Sequence, residues 1–345
     1  MYARGVRISV ALACHNGEHY VGPLLDSLAR QTEPPHELVV FDDASKDSTL
    51  ELVEGFAASA PFPVRVTRGA QHSGATSAFI QAARLCQGDA IAFSDQDDVW
   101  LERKLEVCRK ELERSGASLV MHSTRPVDSE LRDAGRIWPV IDETRLVPPL
   151  SLTGLDVDAP GMAMMFPRGL LDLADFDTRP MSRYGDGQQM LHDEWVFFLA
   201  GVLGSIRLVA DPFVLYRHHD SNHSGGWVDR KREMSLRPAS HDYARAAACT
   251  AGCAEYLERT ESSDEAVAAR LAQGAQEYRR ASENWALRMS LYAAHDRRSR
   301  ASLLRRLLAG RAYRRREVGG FGRAAFGKDL IAGLVLGMKA EDGHQ

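Results

Sequence analysis

The sequence predicts an α/β fold in which a mostly parallel sheet carries helices on both faces. The first observation behind this prediction is an alternation. Through the first 125 residues, short apolar runs alternate with segments whose apolar residues recur at helical spacing. The second observation is that polar clusters come directly after several of the apolar runs. Parallel strands present their carboxyl ends at one edge of a sheet, so these clusters are expected to meet there.

Five strands are predicted in this part of the chain, each from a run rich in apolar residues. They cover residues 8–13, 37–41, 64–67, 90–94 and 118–122. Four helices are expected between and after them, at about 21–28, 45–56, 73–85 and 101–114. Local signals support these boundaries, because Asn16-Gly17 favours a turn after the first strand and Ser45 suits the start of the second helix.

The middle of the chain is irregular and rich in proline, from about residue 125 to 180. A short apolar strand is expected within it at 161–166. A helix at 196–202 follows, and then two strands at 206–209 and 213–216 that are separated by Asp211-Pro212.

The last third of the chain is helical, with few β-branched residues and many alanines, leucines and arginines. Two or more helices are expected over 240–315. We therefore predict a first domain at 1–227, divided near residue 125, and a C-terminal helical, arginine-rich region at 228–345.

The composition is that of a globular protein, long enough for one large domain or two smaller ones. No window holds about 18 consecutive apolar residues, so no transmembrane helix is expected. No signal peptide is visible at the N-terminus. The five cysteines are odd in number and form no CxxC pair, which favours free thiols in a reducing cytoplasm.

Charge is distributed unevenly along the chain. Residues 297–316 carry nine arginines and no acidic residue, so the net charge of −4 leaves −13 for the remainder. Leucine pairs between the arginine pairs make this segment amphipathic as a helix. It fits a solvated helical face, a helix that clasps the first domain, or a contact with an anionic membrane. The acidic body disfavours nucleic acid as a partner.

The stretch Asp95-Gln96-Asp97-Asp98 places three carboxylates within four residues, directly after a predicted buried strand. Carboxylates this close repel one another unless a cation lies among them, and hard divalent cations prefer carboxylate and phosphate oxygens. Two carboxylates on such a turn can hold Mg²⁺ or Mn²⁺ and leave coordination positions for a diphosphate. The alternative is a loop in which one aspartate caps the next helix. This stretch alone fits both.

Histidines cluster at 218, 219 and 223, beside Asp220. An independent zinc site is one interpretation, but adjacent residues on a strand point to opposite faces. A single histidine that completes the coordination of the Asp95/Asp97 cation is more economical. Exposed histidines in a polar loop are the third interpretation.

Asp193 also has two interpretations. It precedes an apolar helix, where aspartate is a common N-cap. In the functional interpretation, it is a general base that takes a proton from an acceptor hydroxyl group. The chain contains neither common type of glycine-rich phosphate loop, and no GxSxG or HExxH motif. A bound nucleotide must therefore be held through a metal and individual side chains.

Five motifs occur together in one order along the chain. They are ACHNG at 13–17, DDASKDST at 42–49, DQDDVW at 95–100 with Lys104 beyond it, HDEW at 192–195 and LYRHH at 215–219. In this order and spacing they resemble the family 2 inverting glycosyltransferases, particularly the bacterial rhamnosyltransferase-like branch. The resemblance covers about residues 6–225 and implies a GT-A fold, with a Rossmann-like, mostly parallel sheet.

The resemblance implies a binding site for a nucleotide sugar. The residues that would form it are Ala13, His15, Asp43, Asp95, Gln96 and Trp195. Among them, Asp43 would hydrogen-bond the nucleobase, Asp95 would face the ribose or the sugar, and Trp195 would shape the acceptor side.

The resemblance also implies a cofactor, Mg²⁺ or Mn²⁺, under the diphosphate, with Asp97 and His219 as its ligands. Asp193 would be the catalytic base of a direct displacement that inverts the anomeric configuration. The implied donor is UDP- or dTDP-linked. The implied acceptor is a glycan, a lipid-linked saccharide or a small molecule, in cell-surface glycan or natural-product biosynthesis. We expect a cytoplasmic enzyme, with any peripheral contact at the inner face of the membrane, and no nucleic-acid partner.

Some positions depart from the family pattern. His15 stands where tyrosine is usual, Ala44 where glycine is usual, and His72 where asparagine is often found. Glu194 replaces a usual aromatic residue and competes with Asp193 for the role of base. These departures bear on base and sugar preference, and leave the implied reaction class unchanged.

Two other functions are weighed against this one. A nucleotidyltransferase also uses a Rossmann-like sheet and acidic metal ligands, but it usually carries a glycine-rich triphosphate loop, which the CHNG sequence at 14–17 does not match. The other is a catalytically silent protein that only binds sugar nucleotides, which the combination of Asp97 and Asp193 disfavours.

Overall fold

The computed structural model describes residues 5–151, 159–173, 175–184, 187–219, 240–314 and 321–338. Within these ranges the chain forms a nine-stranded sheet with helices on both faces, which confirms the predicted α/β class. The strands are β1 Ile8–Cys14, β2 Glu37–Asp42, β3 Val64–Arg68, β4 Ala90–Asp95, β5 Val99–Trp100, β6 Leu119–Val127, β7 Arg145–Val147, β8 Met164–Pro167 and β9 Ile206–Arg217.

The helices follow the predicted order and extend to the end of the described chain. They are α1 Val21–Ala29, α2 Thr49–Ala57, α3 Ala75–Leu85, α4 Lys104–Ser115, α5 His192–Leu203, α6 Ser240–Arg259, α7 Glu265–Ala293, α8 Arg297–Ala309 and α9 Gly322–Lys328. A π-helical segment, Asp329–Val335, continues α9. No helix in the described ranges is both long and apolar enough to cross a bilayer.

The sheet has a parallel half and a mixed half, in the order β3-β2-β1-β4-β8-β6-β9-β5, with β7 also paired to β9. Strands β3, β2, β1 and β4 are all parallel, and Ala13 on β1 lies beside Phe41 on β2 and Asp95 on β4. Strand β8 is antiparallel to both of its neighbours. The carboxyl ends of β1, β2 and β4 therefore meet at one edge, as the sequence predicts.

Two predicted strands differ from the observed ones. The apolar run at 161–166 begins as a 3-10 turn, Gly161–Ala163, so β8 starts only at Met164. The expected pair of strands at 206–209 and 213–216 is one continuous strand, β9. Its pairing with β6 shifts register around Ser123, which lies opposite Pro212. Proline lacks the N–H that a regular ladder needs, so the chain bulges there without ending the strand.

Alternate residues of the central strands face two separate cores. Val10 and Leu12 point into a cluster that includes the buried faces of α1, α2 and α4. Ala11 and Ala13 point the other way, into a cluster with α3 and α5. The five cysteines are buried free thiols distributed over these elements, as predicted.

The C-terminal helices pack on the second of these cores. Phe198 on α5 makes edge contacts with Tyr256 on α6 and Tyr278 on α7, at ring-centroid distances of 6.1 and 5.2 Å. A third core lies among α6, α7, α8 and α9. The predicted domain boundary after residue 227 lies outside the described residues.

A buried carboxylate, Asp329, fastens the π-helical segment to α7 and to the turn after α8. It accepts two hydrogen bonds from the Arg288 guanidinium, at 2.8 and 3.0 Å. It also accepts one from each of the hydroxyl groups of Tyr292 and Tyr313, both at 2.8 Å. Both members of the ion pair are buried. Such a pair keeps its geometry, because separating the partners would leave an unpaired charge in the core, at a large cost in free energy.

Replacing Asp329 with asparagine is expected to lower the free energy of unfolding by about 3 kcal/mol, because the buried Arg288 charge loses its counterion. Asp296, an exposed N-cap of α8, provides the control: Asp296→Asn should cost less than about 1 kcal/mol. Urea unfolding followed by circular dichroism measures both. A loss below about 1 kcal/mol for Asp329→Asn would show that the network contributes little to stability.

Candidate active site

The loops after β1 and β2 are tied together at the carboxyl edge of the sheet. The Ser45 hydroxyl accepts a hydrogen bond from the Asn16 backbone N–H, and the Asn16 side-chain oxygen accepts one from the Lys46 N–H. Asn16 and Ala44 adopt left-handed backbone conformations, with φ of 48° and 57°. Ala44 thus keeps the conformation that glycine adopts without strain, at a cost of about 1–2 kcal/mol.

Asp43, just after β2, is buried at this edge and held by several donors. One carboxylate oxygen accepts hydrogen bonds from the Ser73 N–H and hydroxyl, and the other accepts one from the Gly74 N–H, all at 2.8 Å. The second oxygen also lies 2.9 Å from Nδ1 of His72. Burial works to raise the pKa of this carboxyl group, but these hydrogen bonds outweigh it, so the pKa lies below its ordinary value.

His15, at the end of β1, completes a cluster with Asp43 and His72. Its Nδ1 lies 2.7 Å from the Asp43 carbonyl oxygen. The two imidazole rings are 4.0 Å apart at their centroids and are tilted by 32°. Each of the three side chains offers a ligand atom, and these atoms lie within 4.8 Å of one another. The cluster could therefore hold a metal ion as well as a polar ligand.

Gln96 lies beside this cluster, but its amide is already engaged. Its side-chain oxygen accepts a hydrogen bond from the His15 N–H at 2.9 Å, and its nitrogen donates one to the His15 carbonyl at 3.0 Å. The structure therefore gives Gln96 a different role from the predicted contact with a nucleotide sugar. It fixes the backbone of His15 relative to residues 95–98, which we call the acidic loop.

The two predicted metal ligands, Asp97 and His219, are brought together although they are far apart in sequence. His219 Nε2 lies 2.9 Å from a carboxylate oxygen of Asp97. The His219 ring stacks on Tyr20, with centroids 4.4 Å apart and planes 20° from parallel. The ring of the adjacent His218 instead makes an edge contact with Tyr216. Asp220 and His223, the other members of the zinc hypothesis, lie outside the described residues.

Arg217, at the end of β9, holds the acidic loop in place. Its Nε donates to the Asp97 carbonyl at 2.7 Å, and its backbone N–H donates to Asp98 at 3.1 Å. Its guanidinium carbon lies 5.0 Å from the centre of the Tyr20 ring. Because β5 also pairs with β9, this strand anchors the loop that carries Asp97 at two points.

The acidic loop holds its carboxylates in surroundings that disfavour negative charge. Burial raises the pKa of Asp95 to about 8, and the nearby charges of Asp97 and Asp193 add to this effect. Burial also raises the pKa of Asp98 well above its ordinary value. A divalent cation among these groups would oppose both effects, because an opposite charge favours the ionised carboxylate.

Lys104, at the start of α4, lies buried beneath this loop. Its ammonium group donates to the Met162 carbonyl at 2.6 Å and sits 3.2 Å from the centre of the Trp100 ring. Burial lowers the pKa of Lys104 to about 7, although the charges of Asp98 and Asp95 oppose this. Lys104 joins the 3-10 turn at Gly161–Ala163 to the acidic loop.

Asp193 lies in the first turn of α5 and is partly exposed. Its negative charge helps to raise the pKa of Asp95. One of its oxygens accepts a hydrogen bond from the Glu194 N–H at 2.8 Å. The 3-10 turn approaches closely at Gly161, where an added Cβ would lie 2.9 Å from His192 and 3.4 Å from Asp193. A larger residue there would push against the start of α5, so Gly161 helps to define the position of Asp193.

Glu194 is engaged in capping α5. One carboxylate oxygen accepts from the Leu191 N–H at 2.9 Å, and the other accepts from the Ser182 hydroxyl at 3.0 Å. Burial raises the pKa of this carboxyl group above its ordinary value. Of the two adjacent acids, Asp193 is therefore the one whose charge acts on the acidic loop.

Besides Asp43, two of the residues expected to bind the nucleotide sugar have buried side chains, and both of these are apolar. Trp195 is fully buried and its ring lies 4.4 Å from that of Phe176, so it packs in the core and offers no surface to an acceptor. The Ala13 side chain points into the core beside α3, and only its backbone reaches the edge of the sheet. Helical spacing alone does not distinguish a core tryptophan from one in a binding cleft, which explains the wrong expectation for Trp195.

Several site residues were not assigned a role from the sequence. Tyr20 and Arg217 lie in segments that the motifs cover or adjoin, but their contact with each other depends on how β9 pairs across the sheet. Gly161 gave one signal, a glycine in front of an apolar run. That signal indicates close packing but does not identify the residues on the other side of the contact.

Comparison with known proteins indicates the family that this chain resembles. The family model described as Glycosyl transferase family 2 matches residues 9–172, which include β1, the acidic loop and β8. An uncharacterized glycosyltransferase of Nostoc is 24% identical over 220 residues, which are 63% of this chain and 66% of that protein. The Escherichia coli UDP-Glc:alpha-D-GlcNAc-diphosphoundecaprenol beta-1,3-glucosyltransferase WfgD is 33% identical over 100 residues, 29% of this chain and 38% of that enzyme. The chain thus spans less than two thirds of the length of these relatives.

Solved structures share the fold. The crystal structure of Staphylococcus aureus TarS 1–349 in complex with UDP-GlcNAc superimposes with a TM-score of 0.54 and 17% sequence identity. The match covers 90% of this chain and 88% of that one, so it extends over the C-terminal helices as well as the sheet. At this level of identity the similarity concerns the fold alone.

Proposed function

We propose that this chain, which matches the family 2 glycosyltransferase model over residues 9–172 and shares the GT-A fold, transfers a sugar from a nucleoside diphosphate to an acceptor hydroxyl, with metal assistance and inversion. The observation that carries this proposal is the 2.9 Å contact between Asp97 and His219 at the carboxyl edge of the sheet. The charges of Asp97 and Asp193 help to raise the pKa of the nearby Asp95, which supports a shared acidic site. A bacterial cell-surface glycan or a glycosylated natural product is the proposed product, and the rhamnosyltransferase-like branch is the proposed subgroup.

The donor is proposed to lie along this edge, with its base near His15 and Asp43 and its diphosphate near Asp97. Asp97 and His219 would hold Mg²⁺ or Mn²⁺, and the 2.9 Å between their ligand atoms suits two neighbouring ligands of one cation. The diphosphate and water would complete the coordination. When bound, the cation stabilises the negative charge of the leaving diphosphate.

Asp193 is proposed as the general base. Its carboxylate would accept the proton of the acceptor hydroxyl while the oxygen attacks the anomeric carbon. The C–O bond to the diphosphate breaks on the opposite face of the sugar, so the configuration inverts. The N-terminal end of α5 favours a negative charge at this position. Arg217 and Gln96 would act as positioning residues, because they fix the acidic loop and His15.

The acceptor is proposed to be a glycan, a lipid-linked saccharide or a small molecule. The proposal is tested by thermal unfolding with a panel of UDP- and dTDP-sugars, each with Mg²⁺ and with EDTA. A cognate donor raises the melting temperature by mass action and should do so only with the metal. A panel without any stabilising donor would contradict the proposal. A donor that binds and is never consumed would favour the silent binding protein instead, and pyrophosphate formation from a nucleoside triphosphate would favour a nucleotidyltransferase.

We further propose that the C-terminal helices contact an anionic membrane surface. The Arg297 guanidinium donates to the Val335 carbonyl at 3.3 Å, which joins α8 to the π-helical segment. That segment and the residue after it are about half exposed at Ile331, Val335 and Leu336. Exposed arginines lie on and just after α8, namely Arg297, Arg298, Arg305, Arg306 and Arg311. Apolar side chains beside cations suit the boundary between lipid headgroups and acyl chains.

The double variant Arg297→Glu with Arg298→Glu is expected to weaken binding to phosphatidylglycerol vesicles by about tenfold or more, since each basic residue contributes about 1 kcal/mol at such a surface. Co-sedimentation at low and high salt measures this, with Arg136→Glu, an exposed arginine elsewhere, as the control. Binding to neutral vesicles should be weak. Equal sedimentation of the double variant and the wild type, or binding that does not depend on salt, would contradict the proposed membrane contact.

A further inference from the structure

We propose that His15, Asp43 and His72 form a second metal site, for a transition ion such as Zn²⁺, distinct from the Asp97–His219 pair. Their ligand atoms lie within 4.8 Å of one another. In the part of the chain that the structure describes, no other set of three histidine, cysteine or acidic side chains meets this condition. Two imidazoles with one carboxylate suit zinc, whereas a set dominated by carboxylate, diphosphate and water oxygens, as proposed around Asp97, suits Mg²⁺ or Mn²⁺.

The hydrogen bonds of His15 leave one ring nitrogen ready to bind a metal. A backbone carbonyl can only accept, so the 2.7 Å contact to the Asp43 carbonyl places the proton on Nδ1 of His15. Nε2 then carries the lone pair, and the Asn16 amide nitrogen lies 3.0 Å from it, as a donor. Metal-binding histidines are commonly oriented by such an Nδ1–H bond to a carbonyl. A metal ion bound at Nε2 would take the place of this contact with the Asn16 amide.

Asp43 and His72 supply the other two ligands under different constraints. Asp43 is oriented by the N–H groups of Ser73 and Gly74 and by the Ser73 hydroxyl, which is the supporting shell that a metal-bound carboxylate needs. The His72 side chain is about half exposed, at 51%, and lies 2.9 Å from the carboxylate. An ion can therefore enter from solvent on the His72 side, where water would complete its coordination.

This site has a consequence that rests on the proposed function. The same three residues lie where the nucleobase of the donor is proposed to bind. An ion held by Asp43 and His72 would keep the His72 ring against His15, at the present centroid distance of 4.0 Å, and would leave no space for a base. Zinc and the donor nucleotide therefore exclude each other, and zinc acts as an inhibitor that competes with the donor.

Zinc binding to the whole chain is measured by isothermal titration, with free Zn²⁺ held by a chelating buffer. We expect His15→Ala and His72→Ala each to weaken zinc binding at least tenfold. His19→Ala is the matched control, because this exposed histidine lies in the loop after β1 and outside the cluster. It should bind zinc as the wild type does. Asp97→Asn serves as a comparison, because it should weaken only the zinc that binds at the Asp97–His219 pair. Wild-type zinc affinity in His72→Ala and His15→Ala, or a loss confined to Asp97→Asn, would overturn the site.

The competition is tested by repeating the titration with a saturating UDP- or dTDP-sugar and Mg²⁺. The apparent zinc affinity is expected to fall in proportion to the occupied fraction of the nucleotide site. A nucleotide that binds without changing zinc affinity would overturn the competition. If no nucleotide binds the wild type even without zinc, the proposed function fails and the competition fails with it, while the zinc site is judged by the histidine variants alone.

Discussion

Replacing Asp193 with asparagine is expected to lower the rate of sugar transfer by a factor of about 10² to 10⁴, the range typical of a general base. Asparagine has the same shape but cannot accept the proton of the acceptor hydroxyl. Donor binding should change little, because the proposed donor contacts lie on the loops after β1, β2 and β4, whereas Asp193 comes from α5. The substitution should therefore lower kcat and change donor binding little.

The surroundings of Asp193 sharpen this expectation. Its carboxylate accepts a hydrogen bond from the Glu194 N–H, which orients it in the first turn of α5. An asparagine can keep that bond through its side-chain oxygen, so the fold should be retained. Initial rates with a labelled donor and circular dichroism of the same samples measure the two quantities together.

Glu194→Gln is the matched control for Asp193→Asn. Because both Glu194 oxygens are engaged with Leu191 and Ser182, this variant should lose some stability and much less activity. Undiminished turnover by Asp193→Asn would exclude Asp193 as the base. A larger loss of kcat in Glu194→Gln, at equal folding, would transfer the role to Glu194.

Replacing Asp97 with alanine is expected to abolish the part of donor binding that depends on the metal. Asp97 supplies a carboxylate, and its contact with His219 is the link between the acidic loop and the end of β9 at the proposed cation site. A cation with few protein ligands depends strongly on each of them. The donor affinity of Asp97→Ala with Mg²⁺ should fall to that of the wild type in EDTA, as measured by isothermal titration.

The pH dependence of metal binding gives this prediction a second readout. Without a cation, burial raises the pKa of Asp95 to about 8, so at pH 6 most molecules hold this group protonated. A cation favours the ionised form, and binding must then release a proton. Affinity for Mg²⁺ is therefore expected to rise between pH 6 and 9. Asp95→Asn should flatten that rise, because it cannot titrate.

Asp211→Ala controls for the loss of a negative charge, because Asp211 is an exposed aspartate within β9. It should bind donor and metal as the wild type does. Wild-type donor binding by Asp97→Ala, or equal binding with Mg²⁺ and with EDTA in the wild type, would contradict the proposed metal role.

Much of the fold could be predicted because its signals are local. Strands β1, β2 and β4 are continuous apolar runs, and each ends in polar residues that the topology of a parallel sheet must bring to one edge. Strands β5 and β7 could not be predicted, because two and three residues are too few to show a period. The expected strands at 206–209 and 213–216 form the single strand β9 because both pair with β6, across a bulge that the sequence does not reveal.

The candidate site, too, could be predicted only where its signals are local. Asp95, Asp97 and Asp193 stand out locally as acids beside apolar runs. The partners that fix them come from elsewhere in the chain: Arg217 reaches the acidic loop, and Lys104 reaches the carbonyl of Met162. Gln96 and Trp195 lie inside strong motifs, yet the hydrogen bonds of one and the burial of the other give both structural roles. Motif membership did not distinguish a ligand contact from a supporting residue.

Slow hydrolysis of the cognate donor, followed by proton NMR in Mg²⁺, tests the central claim without knowledge of the acceptor. With water in place of the acceptor hydroxyl, an α-linked nucleotide sugar is predicted to release the β-anomer of the sugar first, before it equilibrates in solution. Asp193→Asn and Asp97→Ala should release none above background. Initial release of the α-anomer would contradict the single-displacement mechanism. Donor that remains intact with the wild type would contradict the claim that this edge of the sheet is a catalytic site.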